Sequence, residues 1–443
     1  MKFKKFLVTG LCLLSINSVF STQKFSRQVQ QNIPTNNKKF LKILSEGIEY
    51  EFSNKNNFKA DISYLFADVK YRDGVLKICE FGQGKNSNIA MSELIIDGQV
   101  EKIIKPYWSI FWTYLRQFNL PIWYVGPEIR KPRSLQSELT LYDALAWDVF
   151  QEIGGYSTRD LNSLAQDIRF KTQLNKKQIF KPDDMSTYKG IIVYRYRDDR
   201  FPSHRKALDN FKVTHPDFLV IDMVSWEYAA SKEKLAGLVQ EAGLGECKPK
   251  WGIYPKEYTK DLAQKIMRDL GCDMFVIKPV NSGRSNGIIF VEKTDLDMVL
   301  KKILQHKKSQ EKLESFNHRP YNTQLFEYWE LDPNDTFMVE EYQPSKSLMI
   351  RNKMYDPTMR IVFTLCHNKG KIHANILGAY WKIPGKALTE DGTLTEKHKT
   401  VSVPTPGLSG LCITAHDMKG VKALAYKFLP KIYEYMLEKH AQI

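Results

Sequence analysis

Lys278 ends an apolar run, Phe275-Val276-Ile277-Lys278-Pro279, and a loop of small residues follows, Asn281-Ser282-Gly283-Arg284-Ser285-Asn286-Gly287. A lysine at the end of a buried strand has to reach an anion or water, because an unpaired ammonium is costly in a core. Small side chains in the next loop let backbone N–H groups close on phosphate oxygens. Ser282, Gly283, Ser285, Asn286 and Gly287 are therefore candidate phosphate-binding residues beside Lys278. The plain alternative is a strand hairpin with an ordinary turn. The string is not a P-loop, because no GxxxxGK[ST] pattern occurs and the lysine precedes the glycines. It is not a dinucleotide fingerprint either, since the loop leads into a strand and not a helix.

Other chemistries find little support. No Ser/His/Asp or Cys/His nucleophile pattern is evident, and the nine histidines are scattered. Cys79, Cys247, Cys272, Cys366 and Cys412 have wide spacings with no CxxC pair, which argues against a zinc site or a disulfide scaffold. They read as isolated thiols. No aromatic RNA-binding pattern or zinc knuckle points to nucleic acid.

The elements that must position these residues follow from periodicity. Residues 62–70 and 75–81 read as two strands around the turn Arg72-Asp73-Gly74. Short strand-type runs lie at 122–125, 190–196 and 218–223, with helical spacing at 139–153 and 229–242. Residues 260–270 read as a helix, 274–279 and 288–291 as strands, 295–306 as a helix, and 307–325 as a polar loop. Strands are expected at 336–342, 360–366 and 371–381, then a basic loop to about 410, then an amphipathic helix at 418–439.

The chain has 443 residues, enough for several cores, and a formal net charge of +15 that favours anionic partners. Lys2, Lys4 and Lys5 precede the apolar segment 6–16, and Val19 and Ser21 sit at −3 and −1 of a cleavage site. This is the pattern of a signal peptide, so the chain is expected to be exported, secreted or periplasmic; it is cytoplasmic if 6–16 is instead a buried helix. Cleavage after residue 21 would leave a charge of +12. No later stretch of the mature chain reads as a transmembrane segment. Isolated thiols suit a reducing compartment and sit awkwardly with export.

Lysine before glycine, on a strand, resembles the ATP-grasp superfamily. Several other strings resemble that family in turn. Ser231-Lys232-Glu233-Lys234-Leu235 opens a helix ending at Gly243, and Lys232, with Lys234 as fallback, matches the family's earlier phosphate-facing lysine. Met338-Val339-Glu340-Glu341-Tyr342 resembles the strand whose end reads adenine, with backbone groups of Glu341 and Tyr342 at the base edge. No ribose acid follows in Pro344-Ser345-Lys346-Ser347. Asp356 and Arg360 resemble a strand whose arginine faces the γ-phosphate or acyl phosphate, and Ala379-Tyr380-Trp381-Lys382 the next strand, ending in a base.

The family's metal carboxylates should follow the late helix, where this chain stops. The hairpin at 62–81 supplies candidates from the other end. Asp68 and Glu80 are twelve residues apart on facing strands, which can bring both to one face. Gln83 stands near the family's metal-binding Asn position. The resemblance therefore implies an α+β, circularly permuted ATP-grasp fold, as in eukaryotic glutathione synthetases, with an α/β lobe before the grasp. Its parts are 1–21 signal peptide, 22–61 leading segment, 62–88 metal hairpin, 89–230 substrate lobe and 231–443 ATP-grasp domain. The implied function is an ATP-dependent carboxylate–amine ligase using Mg²⁺ and an acyl phosphate. Its partners are ATP, a carboxylate and an amine, with no evident nucleic acid and the oligomer undetermined. The rivals are a silent, secreted ATP-binding protein and a protein-directed ligase similar to tubulin-tyrosine ligase.

Overall fold

The computed structural model describes residues 47–51, 58–84, 90–96, 99–105, 107–126, 150, 155–158, 160–171, 180–194, 202–281, 287–305, 329, 332–400 and 410–441. The expected export signal, most of the leading segment, the helix expected at 139–153 apart from Phe150, and the polar loop at 307–325 lie outside them. So do Ser282, Gly283, Arg284, Ser285 and Asn286 of the glycine-rich loop.

The chain mixes helices and strands in the α+β manner that the resemblance implies, and among the described residues three larger sheets carry it beside a two-stranded ribbon of Leu348–Ile350 and Lys353–Tyr355. The largest is eight-stranded among the described residues. Asp61–Arg72 and Val75–Gln83 form a hairpin on its edge, turning through Asp73 and Gly74, both at positive φ. An Asp-Gly pair suits such a turn because both positions need the left-handed region. Asp61–Arg72 pairs antiparallel with Thr358–Asn368, which pairs with Lys371–Lys382. The hairpin is thus separated from the Lys371–Lys382 strand by one strand. Ile48–Glu51 also pairs with Lys371–Lys382, and Ala90–Ile96 with Gln99–Lys105 extends the sheet through Gly410–Cys412. Those last two strands, expected in the substrate lobe, belong to the large sheet.

Alternation along the hairpin explains where each face goes. Leu65, Ala67 and Val69 point into a core with Phe363, Leu365 and the long helix Ala415–Ala441, whose Val421, Ala425, Phe428, Leu429, Ile432 and Met436 are buried. These helical positions repeat at three and four residues, so one stripe covers the sheet. Ile62, Tyr64 and Phe66 face the other way, onto the helix Tyr107–Arg116 and a parallel sheet. That sheet is Tyr156–Thr158, Ile122–Val125, Gly190–Tyr194 and Phe218–Val220. Further along the same face the apolar series gives way to Asp68 and Lys70. The face changes there from core to site.

The third sheet orders Trp251–Pro255, Thr336–Glu341, Met274–Pro279 and Ile289–Glu292. Phe275, Ile277, Val291, Phe337 and Val339 bury one face against the helices Leu262–Leu270 and Leu296–Leu304. Val276, Lys278 and Glu340 occupy the opposite face, toward the large sheet.

Candidate functional site

Between the charged end of the large sheet and this second face lies a narrow cavity of about 60 Å³, partly open to solvent. Asp68, Lys70, Glu80 and Thr358 line it from one sheet, and Val276, Lys278, Glu340 and Glu341 from the other.

Lys278 is buried and finds the anion its position demands in the carboxylate of Glu340. Glu340 also accepts from Lys248 Nζ at 2.6 Å, and Lys248 reaches the Ile78 carbonyl. Burial pushes the Lys278 ammonium down in pKa, but Glu340 outweighs it and leaves the value raised. The same burial would raise Glu340, and the two lysines hold it below the usual carboxylate range. Glu340 thus meets two lysines at once.

Lys232 opens the helix Lys232–Glu241 behind the N-cap Ser231, whose side chain accepts from the Lys234 N–H. The Lys232 N–H bonds the Val280 carbonyl, which ties the helix start to the end of the Lys278 strand. Its buried Nζ lies 3.9 Å from Glu80 Oε2, and burial lowers its pKa. Lys234, the fallback, is exposed and pairs with Glu227 at 2.5 Å, away from the cavity. Two lysines from separate elements thus converge beside the hairpin.

Asp68 faces Glu80 across the hairpin and Arg360 across the next strand. Its Oδ1 accepts from Arg360 Nε at 2.6 Å, and its Oδ2 from Arg360 Nη2 at 2.7 Å and Lys382 Nζ at 2.9 Å. Burial alone would raise this carboxyl; the two cations hold it well below its ordinary value. The guanidinium lies 3.6 Å from the centre of the Phe66 ring, which fixes its plane.

The metal expectation does not fit this arrangement. Gln83 opposes Leu65, so it points to the face opposite Asp68 and Glu80, and its buried amide finds no hydrogen-bond partner among the described residues. Both Asp68 oxygens are spent on cations. No group of three His, Cys, Asp or Glu that could hold a metal gathers among the described residues. Mg²⁺ takes hard oxygen ligands, and cations already occupy those of Asp68.

A second hub is centred on buried Asp356. It accepts from Lys70 Nζ at 2.9 Å, Tyr342 Oη at 2.8 Å and the Ser345 N–H at 2.8 Å, and lies 2.9 Å from His398 Nδ1. Burial raises its pKa, and Lys70 with His398 outweighs that, bringing it to about 2. Phe290, Tyr342 and His398 form an aromatic wall with centroid separations of 4.9 to 6.0 Å. The N–H groups of Glu341 and Tyr342, expected at a base edge, are donated to the Lys250 and Met274 carbonyls. Those two N–H groups are thus engaged within the sheet, and both residues line the cavity. Gly287 closes the loop at positive φ, its carbonyl accepting from Trp329 Nε1 at 2.9 Å.

No family model matches the chain, and no curated protein matches it. Solved structures similar to it include D-cycloserine synthetase DcsG, at 10% identity and a TM-score of 0.35 over 71% of this chain and 81% of that one. D-alanyl-alanine synthetase A from Vibrio cholerae matches at 10% and 0.31 over 72% and 80%. A RimK domain ATP-grasp protein from Sphaerobacter thermophilus matches at 9% and 0.30 over 72% and 98%.

Lys70, Lys248 and His398 escaped the sequence reading. Lys248 sits in the string Lys248-Pro249-Lys250, which looks like an ordinary basic turn, and His398 in a polar segment after Thr393. Only Lys70 carried a signal, a lysine two residues after Asp68 and so on the same strand face.

Proposed function

We propose that this cleft binds ATP and uses it to activate a carboxylate for attack by an amine, as a ligase of the ATP-grasp kind. The observation that carries the reading is the convergence of buried Lys278 and Lys232, from different elements, beside a cavity walled by two sheets. Seven cations (Lys70, Lys232, Lys248, Lys278, Arg360, Lys382, Lys399) face five carboxylates (Asp68, Glu80, Glu340, Glu341, Asp356) in and just behind its wall. The surplus suits a polyphosphate. The aromatic wall at Phe290 and Tyr342 suits a planar base.

In this reading a substrate carboxylate oxygen attacks the γ-phosphorus and ADP leaves with the bridging oxygen. The amine then attacks the acyl carbon, phosphate leaves, and the amine gives up a proton. Lys278 and Lys232 offset charge on the phosphate chain, and Arg360 and Lys382 add positive potential behind Asp68. The hairpin Asp61–Gln83 takes the place of the family's last two strands, moved to the front of the chain. Its membership of the large sheet supports that permuted order. Export through residues 1–21 is a separate proposal, checked by sequencing the amino terminus of secreted protein. Among the described residues no helix is long and apolar enough to cross a membrane.

A second reading is a nucleotide-binding protein without turnover, favoured by the engagement of Asp68 with two cations. A thermal shift with ATP, followed by an ADP-release screen over amino acids and peptides, separates the two. ADP release dependent on both a carboxylate and an amine supports the ligase. A shift without release supports the silent protein. No shift removes both.

A further inference from the structure

The two carboxylates that face each other across the hairpin are each already committed to fixed cations. Asp68 carries Arg360 on both oxygens and Lys382 on one. Glu80 has Lys232 within 3.9 Å. Three cations therefore stand against two carboxylates; Lys232 and Lys382 are buried and Arg360 is largely so, on elements held by the sheet or by a capped helix start. A dication arriving at Asp68 would meet a local charge that is already positive. To bind, it would have to displace a bidentate arginine pair from a buried carboxylate, which leaves that arginine without its counter-charge.

Lys382, in contrast, retains donors. Arg360 spends Nε and Nη2 on Asp68 and also has the Tyr380 hydroxyl as a hydrogen-bond neighbour. Lys382 has three donors and shows one bond among the described residues. Asp68 thus acts as a positioning residue that holds two cations side by side behind the cavity wall. We propose that this pocket takes its nucleotide polyphosphate as the free anion, without a divalent cation, because the Arg360–Lys382 pair clamped by Asp68 supplies the counter-charge. This rests on the nucleotide reading above.

The test is titration of the full chain with ATP by calorimetry, once in EDTA and once in excess MgCl₂. ATP in EDTA binds at least as tightly as with magnesium. Weaker binding in EDTA overturns the inference and leaves the nucleotide pocket standing. Absence of binding in both overturns the nucleotide reading, and this inference with it. Lys382→Met keeps Arg360 on Asp68 and so keeps the buried pair intact. It weakens ATP binding in EDTA by roughly tenfold or more. Unchanged binding by a folded Lys382→Met protein overturns the counter-charge role.

Discussion

Asp68 and Arg360 lie 292 residues apart in the chain and meet as directly opposed positions on neighbouring strands, joined by two hydrogen bonds of 2.6 and 2.7 Å. The pair stitches the start of the described chain to the strand near its end, at the point where the sheet face changes from core to site.

Asp68→Ala therefore does more than remove an acid. It leaves Arg360 and Lys382 buried without their shared counter-charge. We expect a loss of about 3–5 kcal/mol in urea unfolding, the cost of breaking a buried pair from one side. Asp68→Asn, which keeps an acceptor oxygen, loses less.

Lys278→Met removes one of the two cations on Glu340 and leaves Lys248 in place. ATP affinity measured by calorimetry falls by roughly tenfold to a hundredfold, the worth of one charge-assisted bond to phosphate. Lys234→Met, on the exposed side of the same region as Lys232, leaves affinity unchanged.

Gly82 is a close-approach position. A Cβ there would lie 2.2 Å from the Phe66 ring. That ring supports the Arg360 guanidinium. Gly82→Ala pushes the ring into the arginine and lowers stability by about 1–3 kcal/mol, read as a drop in Tm.

Stability also depends on pH through Asp61. This buried carboxyl accepts from Tyr433 Oη at 2.5 Å and from Ser63 Oγ at 3.2 Å. Burial, opposed by those bonds, raises its pKa to about 6 from an ordinary 3.8. Because the folded state holds the proton more tightly, the contribution is full below pH 3.8 and is lost as pH rises through 6. The size is roughly 3 kcal/mol at most. Asp61→Asn removes that slope between pH 4 and 6 in denaturation series, and a slope that persists assigns it to another group.

Much of the strand pattern was legible locally. Met274–Pro279 and Ile122–Val125 fall where their apolar runs end, because a short buried strand is bounded by its own composition. The lysine at the end of the first run announced a need for an anion, since burial of an unpaired ammonium is costly wherever the chain goes. The two strands read around Asp73-Gly74 likewise allowed Asp68 and Glu80 to share one face before any partner was known. What sequence order could not contain was the identity of the partners. Glu340 as the anion for Lys278, Lys248 as its second cation, and Arg360 with Lys382 on Asp68 all arise from pairings between distant strands. Register decided them: it turned Gln83 away from the hairpin's acids, and it gave Asp68 two cations where a metal had been expected. A residue type and its spacing set what charge a position offers. Only the tertiary structure sets which charge it meets.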